Sequence, residues 1–281
     1  MLRTALTAFA ALCLMESSAA AGTLDIIRDT GVLKIGYRTD APPFSHADAV
    51  GEPAGYSVAV CRAVAARIKD QLKLAKISLT YVPVTAEDRF KAVADGKVDL
   101  LCGATTATLS RRETVDFSVP TFVDGASVLL RANGPQHFSA LEGRKVGVRA
   151  GTTTEDALRN TVQAMSITVE TVAVTDHKDG VTKLLNDDIS AYFADRAILF
   201  FLMAGSGAAE KLFLPEETFT YEPYALALRK GDGDFRLAVD RALSHLYRSG
   251  EIATVFSSAF GASAKPTAEL RALYRISALP D

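Results

Sequence analysis

"VDLLCGATTATLSRRETVDFSVP", residues 98 to 120, runs from an apolar β-rich stretch through a Gly- and Thr-containing loop into two consecutive arginines, Arg111 and Arg112, and then into a second apolar stretch. Its first part closes an alternating series. "VLKIGYR" (32–38) alternates and is rich in β-formers, and "ISLTYVPV" (77–84) reads as a second strand. Between them "SVAVCRAVAARIKDQL" carries Val60, Cys61, Val64, Ala65 and Ile68 at the 3.6-residue period of a helix. Thr85, with Asp88 three positions on, has the spacing of a helix N-cap opening "AEDRFKAVADG", which stops at Gly96 before the strand "VDLLCG". Strand, helix, strand, helix, strand implies a parallel sheet with right-handed crossovers. Ligands of such sheets bind beyond the carboxyl ends of the strands, where the loop after Cys102 lies. A guanidinium fork there takes a carboxylate in two parallel hydrogen bonds, and backbone N–H groups with the Thr105 and Thr106 hydroxyls complete an anion's shell.

The same grammar restarts at Arg144. "RKVGVRAG" is a strand, "TTTEDALRNTVQAM" a helix with Thr152 and Glu155 in cap spacing, "ITVETVAV" a strand, "DHKDGVTKLLND" a helix and "ISAYFAD" a strand. Each unit opens with a strand that ends in an arginine, Arg38 or Arg149. "ASVLLRANGPQHFSALEG" leads from the first unit to the second, and "YEPYALALRKGDG" leads back into a helix from Asp234 to Ser249. The fold class expected is therefore α/β, with two doubly wound lobes joined by a two-strand hinge and a cleft between facing strand ends. The expected division is a leader over 1–21, the first lobe over 22–129, the second over 130–226, and a return to the first lobe with a C-terminal tail over 227–281.

Composition limits the partners. Of 281 residues, 31 are Lys or Arg and 33 are Asp or Glu, so no net basic field is available to hold nucleic acid. The N-terminus shows Arg3, an apolar run from Ala5 to Met15 and small residues ending at Ala21. That is the pattern of a cleaved secretory signal peptide, and no later stretch approaches the ~20 apolar residues of a membrane-crossing helix. In an exported chain the remaining pair, Cys61 and Cys102, favours a disulfide, with two buried thiols as the alternative. The histidines at 46, 137, 177 and 245 have no metal-ligand spacing, and no nucleophile elbow or phosphate loop is present, so no metal, cofactor or catalytic group is expected.

"CGATTATLSRRETVDFSVPTF" resembles the strand–loop–helix segment of the periplasmic solute-binding proteins of polar amino acid ABC transporters, and the resemblance extends over essentially the whole chain after the leader. It implies that Arg111 grips an amino acid's α-carboxylate. "AGTTTED" looks like the second-lobe loop that holds the same carboxylate at a helix N-terminus, through Thr152 and Thr153. In "YFADRAIL", Asp195 looks like the acid that pairs with the α-ammonium. Arg38, Arg89 and His177 match the side-chain positions of the glutamate/aspartate-binding type. Two positions depart from that type: Ala86 and Ala104 stand where it has serines, and Arg149 is an additional cation. The implied partners are an acidic amino acid and an inner-membrane permease, for a periplasmic monomer. The alternatives are a cyclohexadienyl dehydratase-like enzyme on the same fold, with His177 or Glu155 as its acid, and a sensor of another dicarboxylate.

Overall fold

The structure is a computed structural model that describes residues 21–280. The leader expected over 1–21 therefore lies, apart from Ala21, outside the described residues. Among those described, no helix is long and apolar enough to cross a membrane.

Two five-stranded sheets carry the fold, and they have the same order. In the first, Ser78–Val84, Val32–Arg38 and Leu100–Cys102 run parallel, followed by the antiparallel Glu222–Arg229 and then Val115–Asp124. In the second, Glu170–Val174, Lys145–Arg149 and Ala191–Asp195 run parallel, followed by the antiparallel Ala126–Arg131 and then Leu212–Phe213. Strands covered on both faces read as unbroken apolar runs, and Leu100, Leu101 and Cys102 are all fully buried. Helices Tyr56–Gln71 and Gly233–Ser249 bring Val60, Val64, Val239 and Leu243 onto Leu33, Ile35 and Leu100 of the first sheet. In the second lobe, Leu158 of helix Thr153–Ala164 packs with Val128, Val146, Val148 and Phe193.

The capping signals behave as their chemistry requires. Thr85 N–H donates to Asp88 Oδ1 at 2.7 Å and Asp88 N–H to Thr85 Oγ1 at 3.2 Å, though the helix proper is the shorter Arg89–Ala94. The Thr152 hydroxyl accepts from Glu155 N–H at 3.3 Å. Helices Thr23–Thr30, Arg196–Gly205 and Glu251–Phe260 and strand Val115–Asp124 were not anticipated from sequence.

Sheet pairing locates the two hinge crossings. Strand Val115–Asp124 belongs to the first sheet and Ala126–Arg131 to the second, so the chain crosses at Gly125. It returns just before Glu222, where pairing with Asp124 begins. Both crossings fall a few residues ahead of the boundaries at 129 and 226 read from sequence, because local composition does not say which sheet a connecting strand joins. The hinge segments touch: Phe219 N–H donates to the Ala126 carbonyl at 2.7 Å and Ala126 N–H to Thr220 Oγ1 at 2.8 Å. A Cβ on Gly125 would sit 1.9 Å from the Thr220 carbonyl oxygen, so only glycine allows this approach. Gly125→Ala should therefore push the hinge segments apart and cost ~1 to 3 kcal/mol of stability in urea unfolding.

Cys61 of helix Tyr56–Gln71 and Cys102 of strand Leu100–Cys102 form a disulfide, with Cα atoms 6.3 Å apart. It closes a loop with a sequence separation of 41 and fastens helix to sheet beside the loop that carries Arg111. Replacing both cysteines by alanine should lower the free energy of unfolding by ~2 to 4 kcal/mol, measured in urea against the oxidised protein.

Candidate functional site

The first strands of the two units end in arginines that both turn toward the gap between the lobes. Arg38 is 2% exposed. Its Nε donates to Asp40 Oδ1 at 2.7 Å, while its Nη2 is buried without a hydrogen-bond partner. Arg149, from the other lobe, places Nη1 2.7 Å from Glu87 Oε1 and Nε 3.6 Å from Asp40 Oδ2. The additional cation noted in the sequence thus forms an ion pair between the lobes.

Arg89 opens its short helix and is 1% exposed. Its Nη1 donates to the Ala86 carbonyl, its Nη2 crosses to the Gly151 carbonyl at 3.3 Å, and its Nε has no partner. Arg111 follows the loop after Cys102 and donates from Nη1 to the Thr106 carbonyl at 2.8 Å. The Arg89 and Arg111 guanidinium groups lie 4.6 and 4.8 Å from the centre of the Phe90 ring, whose π face is attractive to cations.

Arg38, Arg89 and Arg111 meet Thr106, Thr152, Thr153, His177 and Asp195 around one small cavity that also touches Ala104 and Ile198. Thr105 does not line it; this residue is fully buried, and its Oγ1 has no partner. The Thr152 hydroxyl is occupied as a helix cap and donates to the Arg149 carbonyl at 2.6 Å. Ala104 leaves the wall without the hydroxyl that a serine would add, whereas Ala86 does not line the cavity. A larger hollow opens beside His46, Val181 and Phe201, but its walls are mostly apolar and offer no comparable convergence of charge.

The cavity is electrically divided. Arg38 and Arg89 line one part of it, and Asp40, outside the lining, pairs with Arg38 and Arg149. Burial works to raise the Asp40 pKa, but the Arg38 hydrogen bond and charge, together with His177 and Arg149, hold it down at about 2. His177 is 3% exposed, and its Nδ1 lies 2.6 Å from the Tyr192 hydroxyl. Burial, reinforced by Arg38, lowers its pKa to about 3, so the ring is neutral near pH 7. When Tyr192 donates to Nδ1, Nε2 carries the hydrogen and is a donor.

The other end is acidic and rests on the hinge. Asp195, closing strand Ala191–Asp195, has a buried Oδ1 without a partner. Asp124 stands at the first crossing and Glu222 at the second; Tyr224 OH reaches Asp124 Oδ2 at 3.4 Å. Burial, together with the Glu222 charge, raises the Asp124 pKa to about 7. Burial, then Glu222 and Asp124, push Asp195 well above the usual carboxylate range. Asp124, Glu222 and Tyr224 were missed by sequence reasoning, which looked to the loops after strand ends. The available signal was an acid at the edge of an apolar strand, as in "PTFVDG" and "YEPYALAL".

The match to bacterial extracellular solute-binding proteins, family 3, covers residues 33–262, and the chain belongs to that family. The L-glutamate/L-aspartate-binding protein of Pseudomonas aeruginosa is 31% identical over 241 residues, covering 85% of this chain and 80% of that protein. The cysteine-binding protein of Campylobacter jejuni has the same fold, with a TM-score of 0.76 at 21% identity over 87% of this chain and 97% of that one. An ancestral amino acid-binding protein described as a precursor of cyclohexadienyl dehydratase gives 0.74 at 24% identity, over 85% of this chain and 99% of that chain.

The raised carboxyl groups predict a pH dependence: a ligand that sets a cation against them favours the ionised form and expels a proton, so affinity should fall as pH is lowered through the Asp124 pKa of about 7. Calorimetry near pH 7 in two buffers of different ionisation enthalpy should register proton release on binding.

Proposed function

We propose that this protein is the periplasmic ligand-binding component of an ABC transporter and that its ligand is an acidic amino acid, aspartate or glutamate. The observation that carries this reading is the division of one cavity between buried arginines with unpartnered nitrogens and a carboxylate end with an unpartnered oxygen. An acidic amino acid has two carboxylates and one ammonium, and this arrangement offers partners to all three. The identity to a glutamate/aspartate-binding relative supports the same assignment.

In this reading Arg111 holds the α-carboxylate with backbone N–H groups around Thr106 and Thr153, the latter at the start of helix Thr153–Ala164, where the helix dipole favours an anion. Thr105 supports that loop from behind, and Thr152 holds the helix end in place. Asp195 takes the ammonium. Arg38, Arg89 and the neutral His177 read the side-chain carboxylate by charge-assisted hydrogen bonds. The lobes close over the ligand, and the closed monomer is what a permease in the inner membrane engages. The protein acts by binding, without catalysis: a neutral His177 has only a weakly acidic N–H to give, and Glu155 Oε2 is occupied by Gly151 N–H at 3.0 Å.

Two arginine variants separate the subsites. Arg111→Ala should abolish measurable binding of every amino acid. Arg38→Ala should weaken aspartate and glutamate at least about tenfold, the loss of a charge-assisted hydrogen bond of ~1.5 to 3 kcal/mol, while leaving any residual asparagine or glutamine binding roughly unchanged. Titration calorimetry of both variants with each acid and its amide decides the assignment. Equal losses for acid and amide in Arg38→Ala would show that Arg38 shapes the cleft without reading the side chain. Wild-type protein that bound a neutral amino acid as tightly as both acids would overturn the ligand class.

A further inference from the structure

Glu222 lies at the start of the returning hinge strand, outside the residues assigned to the ligand above, and is 4% exposed. One of its oxygens joins the two lobes. Oε2 accepts from Thr106 Oγ1 at 2.5 Å and from Thr153 Oγ1 at 2.5 Å, and the two hydroxyl oxygens are themselves 3.2 Å apart. Oε1 accepts from Thr220 Oγ1 at 2.9 Å. All of these partners are hydroxyls, so among the described residues no cation is hydrogen-bonded to this buried carboxylate.

Hydrogen counting gives the arrangement a direction. Each threonine hydroxyl has one hydrogen and two lone pairs. With both hydrogens committed to Glu222, Thr106 and Thr153 have none left for a ligand's carboxylate, and what their hydroxyls can offer the cavity is lone pairs. Asp195 contributes an unpartnered carboxyl oxygen, and Asp124 adds a third buried acid; the Arg111 charge is felt with those of Glu222 and Asp195, and Arg38 also acts on Asp195. Among the described residues no cluster of side chains is placed to hold a metal ion, so the charge at this end is not arranged for a bound cation of that kind. An ammonium has three hydrogens and no acceptor and matches such a set of oxygens; a methylene or a carboxylate does not.

We propose that Glu222 makes a free α-amine obligatory: it is a selectivity residue that admits amino diacids and rejects diacids of the same length that lack the amine. It acts through the two threonines and through its charge beside Asp195. The inference rests on the proposed acidic amino acid ligand, and its chemistry is separable from that choice. A diacid without an amine leaves buried acceptor oxygens facing a CH₂ group with no donor, and the cost of leaving them unpaired is borne by the rejected ligand.

Titration calorimetry of the wild type and Glu222→Gln with L-aspartate, L-glutamate, succinate and glutarate tests it. The amide keeps the size and one acceptor oxygen but removes the charge. Wild-type protein should bind each amino diacid at least a hundredfold more tightly than the amine-free diacid of the same length. In Glu222→Gln that ratio should shrink at least tenfold, with the thermal midpoint verifying that the variant is folded. An unchanged ratio, with all four ligands weakened alike, would make Glu222 a purely structural tie between lobes and overturn the proposal. A wild-type ratio near one would overturn it directly. Should the wild type instead prefer a neutral amino acid, the ligand class proposed above fails, and the same comparison between that amino acid and its amine-free acid still scores Glu222.

Discussion

Charge taken out of water must find opposite charge or directed hydrogen bonds, and that constraint organises the space between the two lobes. Arg38 and Arg89 are almost completely buried, and a buried guanidinium without compensation costs several kcal/mol. The protein meets part of this cost internally, through Asp40 and the carbonyls of Ala86 and Gly151. Arg149, Asp40 and Glu87 do the same across the gap, tying one lobe to the other with groups that never leave the protein. Among the residues that line the cavity, what is left without a hydrogen-bond partner is a guanidinium nitrogen on Arg38, another on Arg89 and a carboxyl oxygen on Asp195.

The two ends of the cavity differ in how they respond to protons. At the arginine end the field stabilises charge on Asp40 and removes it from His177, so neither changes state near neutral pH. At the hinge end, carboxylates crowd one another in a dry setting, and Asp124 is held at about 7. Asp124 and Glu222 are the last and first members of the crossing strands, and both lie close enough to Asp195 to raise its pKa.

Much of this was legible before any coordinates. Strand periodicity, cap spacing and an arginine closing each unit's first strand are local signals that gave the repeated α/β units, while the disulfide between Cys61 and Cys102 was favoured over two free thiols by an even cysteine pair in a chain read as exported. Arg38, Arg89, Arg111, His177 and Asp195 were named from motifs scattered over more than half the chain, and the structure brings them to one cavity. Pairing across the hinge was not legible. Nothing local in "EPYALALR" says that it runs antiparallel between Leu100–Cys102 and Val115–Asp124, so the roles of Glu222 and Tyr224 stayed hidden. Cap spacing marked Thr152, whose hydroxyl is spent on its helix, but nothing local showed that the Thr153 hydroxyl faces a carboxylate from the hinge.

The position of Glu222–Arg229 inside the first sheet has a consequence for the order of assembly. Strand Val115–Asp124 joins that sheet by pairing with Glu222–Arg229, which in turn pairs with Leu100–Cys102. As the chain emerges from its N-terminus, the first sheet waits in two pieces until residue 229 appears. The second sheet, whose strands all lie between Ala126 and Phe213, is complete before then. The lobe that comes second in the chain is thus the first whose sheet has all its strands, and the returning strand completes the other sheet between Leu100–Cys102 and Val115–Asp124.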